Sequence, residues 1–183
     1  GADPAETTLR TDITTLFNNV EWSWFRQNNQ QVLYWHWSPE YNWDMNFAVH
    51  GYNECLITYI MGASSQYHSI PKAAYDGTWA GSMGFKNGKQ YYGYFLPLGN
   101  YDEDKGGPLF FEQYTFQGID PNGLTDSLGN DYFLQGKNHT LINRAYCMEN
   151  PKNFKGYSDV CWGLTAGDSY KGYLAHSPQN DRG

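Results

Sequence analysis

The stretch LYWHWSPEYNWDMNFAVHGYNECLI, residues 33–57, joins an aromatic loop to the start of a helical pattern. The loop holds Trp35, Trp37 and Trp43 within nine residues, and Glu54 follows among apolar neighbours. The helical pattern runs from about Asn46 to Met61. Its core-facing side is predicted to consist of Val49, Tyr52, Leu56, Tyr59 and Ile60. Glu54 falls outside that apolar stripe, which predicts a carboxyl group only partly removed from water.

An earlier helix is predicted to begin at Asp3-Pro4. Asp3 is a good N-cap residue, and Pro4 suits the first helical position because its missing N–H is not needed there. Apolar residues then recur at helical spacing and predict a buried stripe, made of Leu9, Ile13, Leu16, Phe17, Val20 and Trp24.

The second half of the chain predicts fewer regular elements. A short helix is predicted near Pro71, a hairpin over residues 85–91 with an Asn87-Gly88 turn, and a third helix from Asn138 or His139 to Asn150. Residues 152–183 are interpreted as ordered loop with aromatic anchors at Tyr157, Trp162, Tyr170 and Tyr173. The predicted fold class is therefore mainly α, with long loops and a small β-hairpin.

Composition restricts the kinds of partner. Among 183 residues, 18% are aromatic and the net charge is −7, so an extended surface for nucleic acid is not expected. No apolar run is long enough to span a membrane. Cys55, Cys147 and Cys161 are interpreted as structural thiols, with a Cys147–Cys161 bridge as the alternative. A neutral ligand suits this composition best.

Glycosidic bond cleavage requires a carboxylic acid near the leaving oxygen and a cleft whose walls stack on sugar rings. Glu54 is the preferred acid, because desolvation keeps a partly buried carboxyl protonated near neutral pH. The alternative is a structural Glu that accepts hydrogen bonds from a neighbouring loop. The spacing of His36, His139 and His176 matches no metal signature, so neither a metal nor a cofactor is expected.

Several stretches resemble the bacterial glucoamylase-like family, which includes the endo-β-1,2-glucanases of glycoside hydrolase family 144. They are LYWHWSP (33–39), GYNECLITYIMGASS (51–65), YYGYFLPLG (91–99), GGPLFFEQYTFQGIDP (106–121), INRAYCMENP (142–151), WGLTAGD (162–168) and GYLAHSP (172–178). The resemblance implies an (α/α)6 toroid and inverting hydrolysis of a glucan, most simply a β-1,2-glucan. It places the general acid on Glu54.

Substrate contacts are expected within or beside these stretches, from His36, Trp37, Asn53, Glu112, Tyr114, Asn143, Trp162 and His176. In the aromatic loop, Trp35 is expected to pack inward while Trp37 or His36 faces the sugar, because an extended segment alternates its faces. Family members often carry a small or hydroxylated residue followed by His where this chain has Glu112-Gln113.

Twelve helices with their connections do not fit in 183 residues. Residues 1–183 are therefore expected to form an internal portion of one (α/α)6 catalytic domain, with the general base in the missing C-terminal part. Two alternative functions are a β-1,2-glucan transglycosylase and a non-catalytic carbohydrate-binding module. A polysaccharide-degrading enzyme of this kind is expected in the periplasm or at the cell surface.

Overall fold

The computed structural model describes residues 3–101 and 103–181. Its α-helices are α1 (Pro4–Asn19), α2 (Leu56–Ser64), α3 (Phe110–Gln113) and α4 (Tyr132–Glu149), and a π-helix spans Ala74–Trp79. Short 3-10 turns lie at Trp24–Arg26, Asp104–Gly106 and Thr115–Gln117. Its strands form three antiparallel pairs: β1 (Leu33–Tyr34) with β2 (Ala48–Val49), β3 (Lys86–Tyr91) with β4 (Tyr94–Leu98), and β5 (Ala166–Ser169) with β6 (Gly172–Ala175). The fold is mainly helical with small hairpins, as the sequence predicted.

Helix α1 begins as predicted but does not bury its apolar stripe. The Asp3 carboxylate accepts a hydrogen bond from the Ala5 amide at 2.7 Å, and Pro4 is the first helical residue. Leu9, Ile13 and Leu16 are nevertheless all more than half exposed, and Trp24 is 41% exposed. The prediction of a buried stripe is wrong for this chain, because no other helix or strand among the described residues packs extensively on α1.

The second predicted helix starts ten residues late. Residues before it form β2, which pairs Ala48 with Tyr34 and Val49 with Leu33, and α2 begins only at Leu56. Gly51 has a φ of +80°, which stops any helix at that point. Val49, Tyr52, Leu56 and Tyr59 are still buried. Their burial was predicted correctly, although Val49 belongs to a strand and Tyr52 to a turn.

The main core lies between α2, the π-helix, the paired strands β1 and β2, and the start of α4. Its large buried side chains include Tyr52, Tyr59, Trp79, Phe85 and Tyr132. Tyr52 and Tyr132 stack with ring centroids 5.9 Å apart, and the Tyr59 hydroxyl donates to the Val49 carbonyl at 2.6 Å. The Tyr59 ring therefore fills part of this core while its hydroxyl satisfies a buried backbone group.

The β3–β4 hairpin exists, but its turn is Tyr92-Gly93. Both turn residues have positive φ, at 53° and 83°. Asn87-Gly88 instead forms an irregularity inside β3, where the pairing shifts between Lys86 and Lys89. The predicted hairpin over residues 85–91 is therefore wrong, because residues 86–91 form the single strand β3. The Asn-Gly signal marks a bulge, where Gly88 adopts the left-handed backbone that a turn also uses.

Two further differences concern the C-terminal half. Helix α4 begins at Tyr132, where the Asp131 carboxylate caps it, earlier than the predicted Asn138 or His139. The β5–β6 hairpin occupies part of the predicted loop, and Tyr170 and Tyr173 are largely exposed rather than anchoring it. The three cysteines are free thiols, with Cys147 buried and Cys161 exposed.

Candidate active site

Glu54 lies in the turn that leads into α2, held by three contacts of its neighbours. The Asn53 side chain accepts a hydrogen bond from the Cys55 amide at 3.0 Å. The Thr115 hydroxyl donates to the Glu54 carbonyl at 3.2 Å. A Cβ at Gly51 would stand 2.4 Å from Asn100 Oδ1, so only glycine permits this close approach. These contacts fix the backbone of Glu54 and not its carboxyl group.

The Glu54 carboxyl group is half-buried, as predicted. Burial raises its pKa above the ordinary value, and a hydrogen bond from its own backbone offsets part of this effect. The same burial, with the nearby Glu54 charge, raises the pKa of the Cys55 thiol to about 12. Within the described residues, no neighbouring side chain donates to the Glu54 carboxyl group. The predicted alternative, a loop hydrogen bond to the carboxylate, is therefore not what the structure contains.

Glu112 lies behind this turn as the centre of a buried network. The residue is 3% exposed, and its carboxylate accepts hydrogen bonds from the Tyr52 hydroxyl at 2.5 Å and the Gln135 amide at 2.8 Å. Nδ1 of His139 lies 2.9 Å from the same carboxylate, and Nε2 lies 3.0 Å from the Gly107 carbonyl. Glu112 was predicted to contact substrate. Its position instead gives it a structural role, because its oxygens are already engaged with protein groups.

His139 has an oxygen partner at each ring nitrogen, the Glu112 carboxylate at Nδ1 and the Gly107 carbonyl at Nε2, so both sides of the ring are engaged with protein groups. Burial and the Glu112 carboxylate together raise the pKa of Tyr52, which keeps that hydroxyl a donor. Because Tyr52 is two residues from Glu54, the network supports the Glu54 turn from the protein interior.

Asn143 is also buried, unlike the solvated or ligand-facing group predicted. Its side-chain oxygen accepts from the Leu164 amide at 2.9 Å, and the Leu164 carbonyl accepts from the Leu109 amide at 2.8 Å. Asn143 therefore connects α4 to the segment before β5. Trp162, two residues before Leu164, is 39% exposed. His176 is half-buried, and its backbone amide donates to the Thr165 carbonyl.

The remaining predicted contacts fall into two groups. Tyr114 is exposed and directly precedes Thr115, so it lies near the Glu54 turn. Trp37 is 38% exposed and packs edge-on against Trp24 at 5.2 Å, while His36 is exposed. The expectation that Trp35 packs inward is wrong: its indole is 60% exposed and rests edge-on against Phe47.

Sequence reasoning missed Thr115 and the contribution of Trp24 to the aromatic cluster. Thr115 carries no motif signal, since its role depends on a contact 61 residues away. Trp24 was assigned to the α1 stripe, but it lies beyond the end of α1 and contacts Trp37 and Trp43.

A groove of about 560 Å³ runs past Glu112 between α3 and the first half of α4. Its walls include Phe116, Tyr132, Phe133 and Lys137. Residues 3–101 and 103–181 contain no group of three His, Cys, Asp or Glu side chains placed to hold a metal ion. In the same residues, no helix is both long enough and apolar enough to cross a membrane.

Comparison with known proteins gives consistent matches. A family profile described as "Putative glucoamylase" (Glycoamylase) matches residues 46–183. The chain is 37% identical over 196 residues to an exo β-1,2-glucooligosaccharide sophorohydrolase (non-reducing end) of Parabacteroides distasonis, an alignment covering 97% of this chain and 26% of that protein.

Several solved structures, including the following two, are similar over nearly the whole chain. One is the crystal structure of a Bacteroides uniformis protein that is also described as a glucoamylase. It is 52% identical, has a TM-score of 0.92, and the match covers 100% of this chain and 44% of that one. The endo-β-1,2-glucanase of Chitinophaga pinensis, in complex with sophorotriose and glucose, has 48% identity and a TM-score of 0.88, covering 96% and 42%.

The chain thus spans between about a quarter and less than half of the length of these relatives. The profile match extends over most of the sequence, from the residues just before β2 through the Glu54 turn to the last hairpin. On this evidence the chain belongs to the Glycoamylase family of glucoamylase-like proteins.

Proposed function

We propose that this chain carries the general-acid half of an inverting glycoside hydrolase that cleaves β-1,2-glucan. The single observation that carries the assignment is the half-buried Glu54 carboxyl group, whose pKa is raised by burial and which no side chain of residues 3–101 and 103–181 engages. The substrate class is supported by relatives named for action on β-1,2-linked glucans.

In the proposed mechanism, the protonated Glu54 gives its proton to the leaving glycosidic oxygen, directly or through a substrate hydroxyl. A raised pKa suits this role, because an acid must hold its proton near neutral pH until the bond breaks. A second carboxylate activates water on the opposite face of the sugar, and inversion places the two carboxyl groups roughly 6.5–9.5 Å apart.

We assign the general base to no residue of this chain. The buried carboxylates Glu112 and Asp181 are committed: Glu112 to the network described above, and Asp181 to the Tyr146 hydroxyl and the Lys152 ammonium. Asp126 is occupied by the Tyr75 hydroxyl and by Asn130. A base needs a free oxygen for water, and these three groups do not offer one.

We further propose that these elements are part of an (α/α)6 toroid in a longer polypeptide located in the periplasm or at the cell surface. The exposed apolar face of α1 and the limited share of each relative that the chain covers support the first part. A polymeric substrate, which is met outside the cytoplasm, supports the second.

The test uses the full-length protein and β-1,2-glucan as substrate. Glu54→Gln is expected to lower kcat by about 10²–10⁴-fold, the usual contribution of a general acid. Glu40→Gln, a matched change at an exposed carboxylate of the preceding loop, is expected to leave kcat within twofold. Turnover by Glu54→Gln close to that of the unchanged protein would remove Glu54 from the acid role.

Product analysis in the same assay separates hydrolysis from transfer. Hydrolysis creates one new reducing end for each bond broken, whereas a transglycosylase forms cyclic or lengthened glucans without a net gain of reducing ends. Net release of reducing sugar is the expected result.

A further inference from the structure

A second groove lies beside the aromatic loop. The residues that line it all precede Glu54 in the sequence. This Trp24 groove has a volume of about 440 Å³, and its lining includes Glu21, Trp24, Gln27, Asn28, Asn29 and Trp43. Trp24 and Trp43 lie 4.8 Å apart with their planes tilted by 41°, and Trp24 is 41% exposed. The groove therefore combines indole surface with a row of side-chain amides.

The amide row stands on a strained backbone. Gln27, Asn28 and Asn29 all have positive φ, at 37°, 59° and 64°. Three consecutive left-handed residues without glycine are costly, and such strain persists only where surrounding contacts impose it.

A buried arginine imposes this conformation. Arg26 is 8% exposed, and its guanidinium donates to the Asn29 carbonyl at 2.7 Å and to the Gln30 carbonyl at 2.6 Å. The Gln30 side chain in turn accepts from the Tyr34 hydroxyl at 2.9 Å. These hydrogen bonds hold the loop in one conformation, so a ligand that binds the loop does not need to order it first.

The polar groups that face the groove are free to bind. None of the hydrogen bonds among the described residues uses the side chains of Asn28 or Asn29, and both residues are exposed. Each primary amide offers two donors and an acceptor. Free amides beside an aromatic face match a sugar, which presents hydroxyl groups on its edge and C–H groups on its face.

The charge of the residues that line the groove restricts the class of ligand that it can bind. Among the described residues that line the groove, Glu21 is the one charged side chain, because the Arg26 guanidinium is turned into the loop. Such a surface does not favour a phosphate or a uronic acid. A neutral saccharide is the class that fits.

We propose that the Trp24 groove is a sugar-binding subsite that holds a glucosyl unit of a neutral oligosaccharide against Trp24 and Trp43. The amides of Asn28 and Asn29 bind its hydroxyl groups. Trp37, which packs on Trp24, extends the aromatic wall. The identity of the sugar as a β-linked glucan rests on the proposed function, whereas the site itself rests on the geometry of the groove.

The experiment observes the site directly. The full-length Glu54→Gln protein is labelled with 5-fluorotryptophan, and the 19F resonances of Trp24 and Trp43 are assigned from their Trp→Phe variants; either assignment suffices. Sophorotriose is then titrated in. Saturable shifts of an assigned resonance are expected, and they give a Kd for this groove alone.

Asn28→Gly and Asn42→Gly form a matched pair. Both replace a left-handed Asn by a residue that tolerates positive φ, but Asn42 does not line the groove. Asn28→Gly is expected to weaken the Kd by about three- to tenfold, the effect of one lost hydrogen bond. Asn42→Gly is expected to leave the Kd within twofold.

Failure of this proposal and failure of the proposed function give different results. If the protein does not hydrolyse β-1,2-glucan, the titration is repeated with β-1,3- and β-1,4-linked glucotrioses, and shifts at Trp24 or Trp43 still support the groove. If the assigned resonances do not move with any of the three sugars, or if both Gly variants bind equally, the groove proposal is wrong even when hydrolysis is normal.

Discussion

At the scale of single residues, Glu54 combines a polar group with a position that partly excludes water. Its backbone is fixed by Thr115 and by the Asn53 turn, while its carboxyl group receives no side-chain donor among the described residues. A carboxyl group in this situation is costly to ionise, because the lost hydration is not replaced. The same property that makes Glu54 suitable as an acid therefore makes it unfavourable for stability at neutral pH.

This cost predicts a pH-dependent gain for Glu54→Gln. The folded-state pKa of Glu54 is raised, so the folded protein binds the proton more tightly, and its stability falls as pH rises from the ordinary carboxyl pKa through the raised value. Gln cannot ionise and escapes this loss. In thermal unfolding of the full-length protein, we expect the variant to have a higher Tm near pH 7, on the order of 1–3 °C.

The Tm difference should shrink as pH falls below about 4, where Glu54 is protonated in both states. Glu40→Gln, at an exposed site, should show no such trend. A gap between Glu54→Gln and the unchanged protein that widens on acidification would contradict a raised pKa.

At the scale of secondary-structure elements, the Glu112 network joins three parts of the site. Glu112 lies on α3, Gln135 and His139 on α4, and Tyr52 in the turn before α2. A Cβ at Gly106 would stand 2.5 Å from the His139 ring, so the loop before α3 also packs tightly on this network. Short elements that have little regular structure of their own are thereby held in one arrangement.

We therefore expect Glu112→Ala to be strongly destabilising. Removing the carboxylate leaves Tyr52, Gln135 and His139 buried without their partner, and each buried polar group left without a partner costs about 1–3 kcal/mol. Urea unfolding of the full-length protein measures the change.

Gln113→Ala is the matched control, since Gln113 is the exposed neighbour of Glu112 on α3 and its loss should cost less than about 0.5 kcal/mol. Equal costs for the two variants would show that Glu112 has no special role in stability.

At the scale of the whole molecule, α1 displays an apolar face that the other described residues do not cover. Leu9, Ile13 and Leu16 lie on one side of the helix, and Leu16 is 70% exposed. A face of this kind is stable in water only at a cost, because burial of each such side chain is worth about 1.5–3 kcal/mol. The proposed toroid gives this face a partner from the same polypeptide.

This arrangement predicts the effect of Leu16→Lys in the full-length protein. If the face is covered there, the charged side chain must be desolvated or must disrupt the contact, and the free energy of unfolding should fall by about 2–4 kcal/mol. Chemical denaturation gives the value. Thr11→Lys, on the opposite side of α1, should change stability by less than about 0.5 kcal/mol. Similar small changes for both variants would mean that the α1 face stays in contact with water.

Much of what lies near the site could be predicted from sequence because its causes are local. Asp3-Pro4 starts a helix through its own side chain and ring, whatever surrounds it. Glu54 among apolar neighbours was predicted to be half-buried, and Val49, Tyr52, Leu56 and Tyr59 to be buried; all are. These are effects of residue type and of the nearest neighbours in the chain.

The predictions that failed depend on contacts between distant residues. Periodicity could not reveal that α1 lacks a covering layer, that Trp35 faces outward, or that Asn87-Gly88 is a bulge whose hairpin turns at Tyr92. Nor could it place Glu112 in the interior, since its partners lie 23 to 60 residues away.

The sequence by itself thus predicted a half-buried carboxyl group at Glu54 and the residue at which α1 begins. Only the tertiary structure decided which carboxylates are already satisfied and which indoles and amides stay open to a ligand. The physical reason is that helix initiation is a property of a few consecutive residues, whereas burial and hydrogen-bond satisfaction depend on which distant groups the fold brings together.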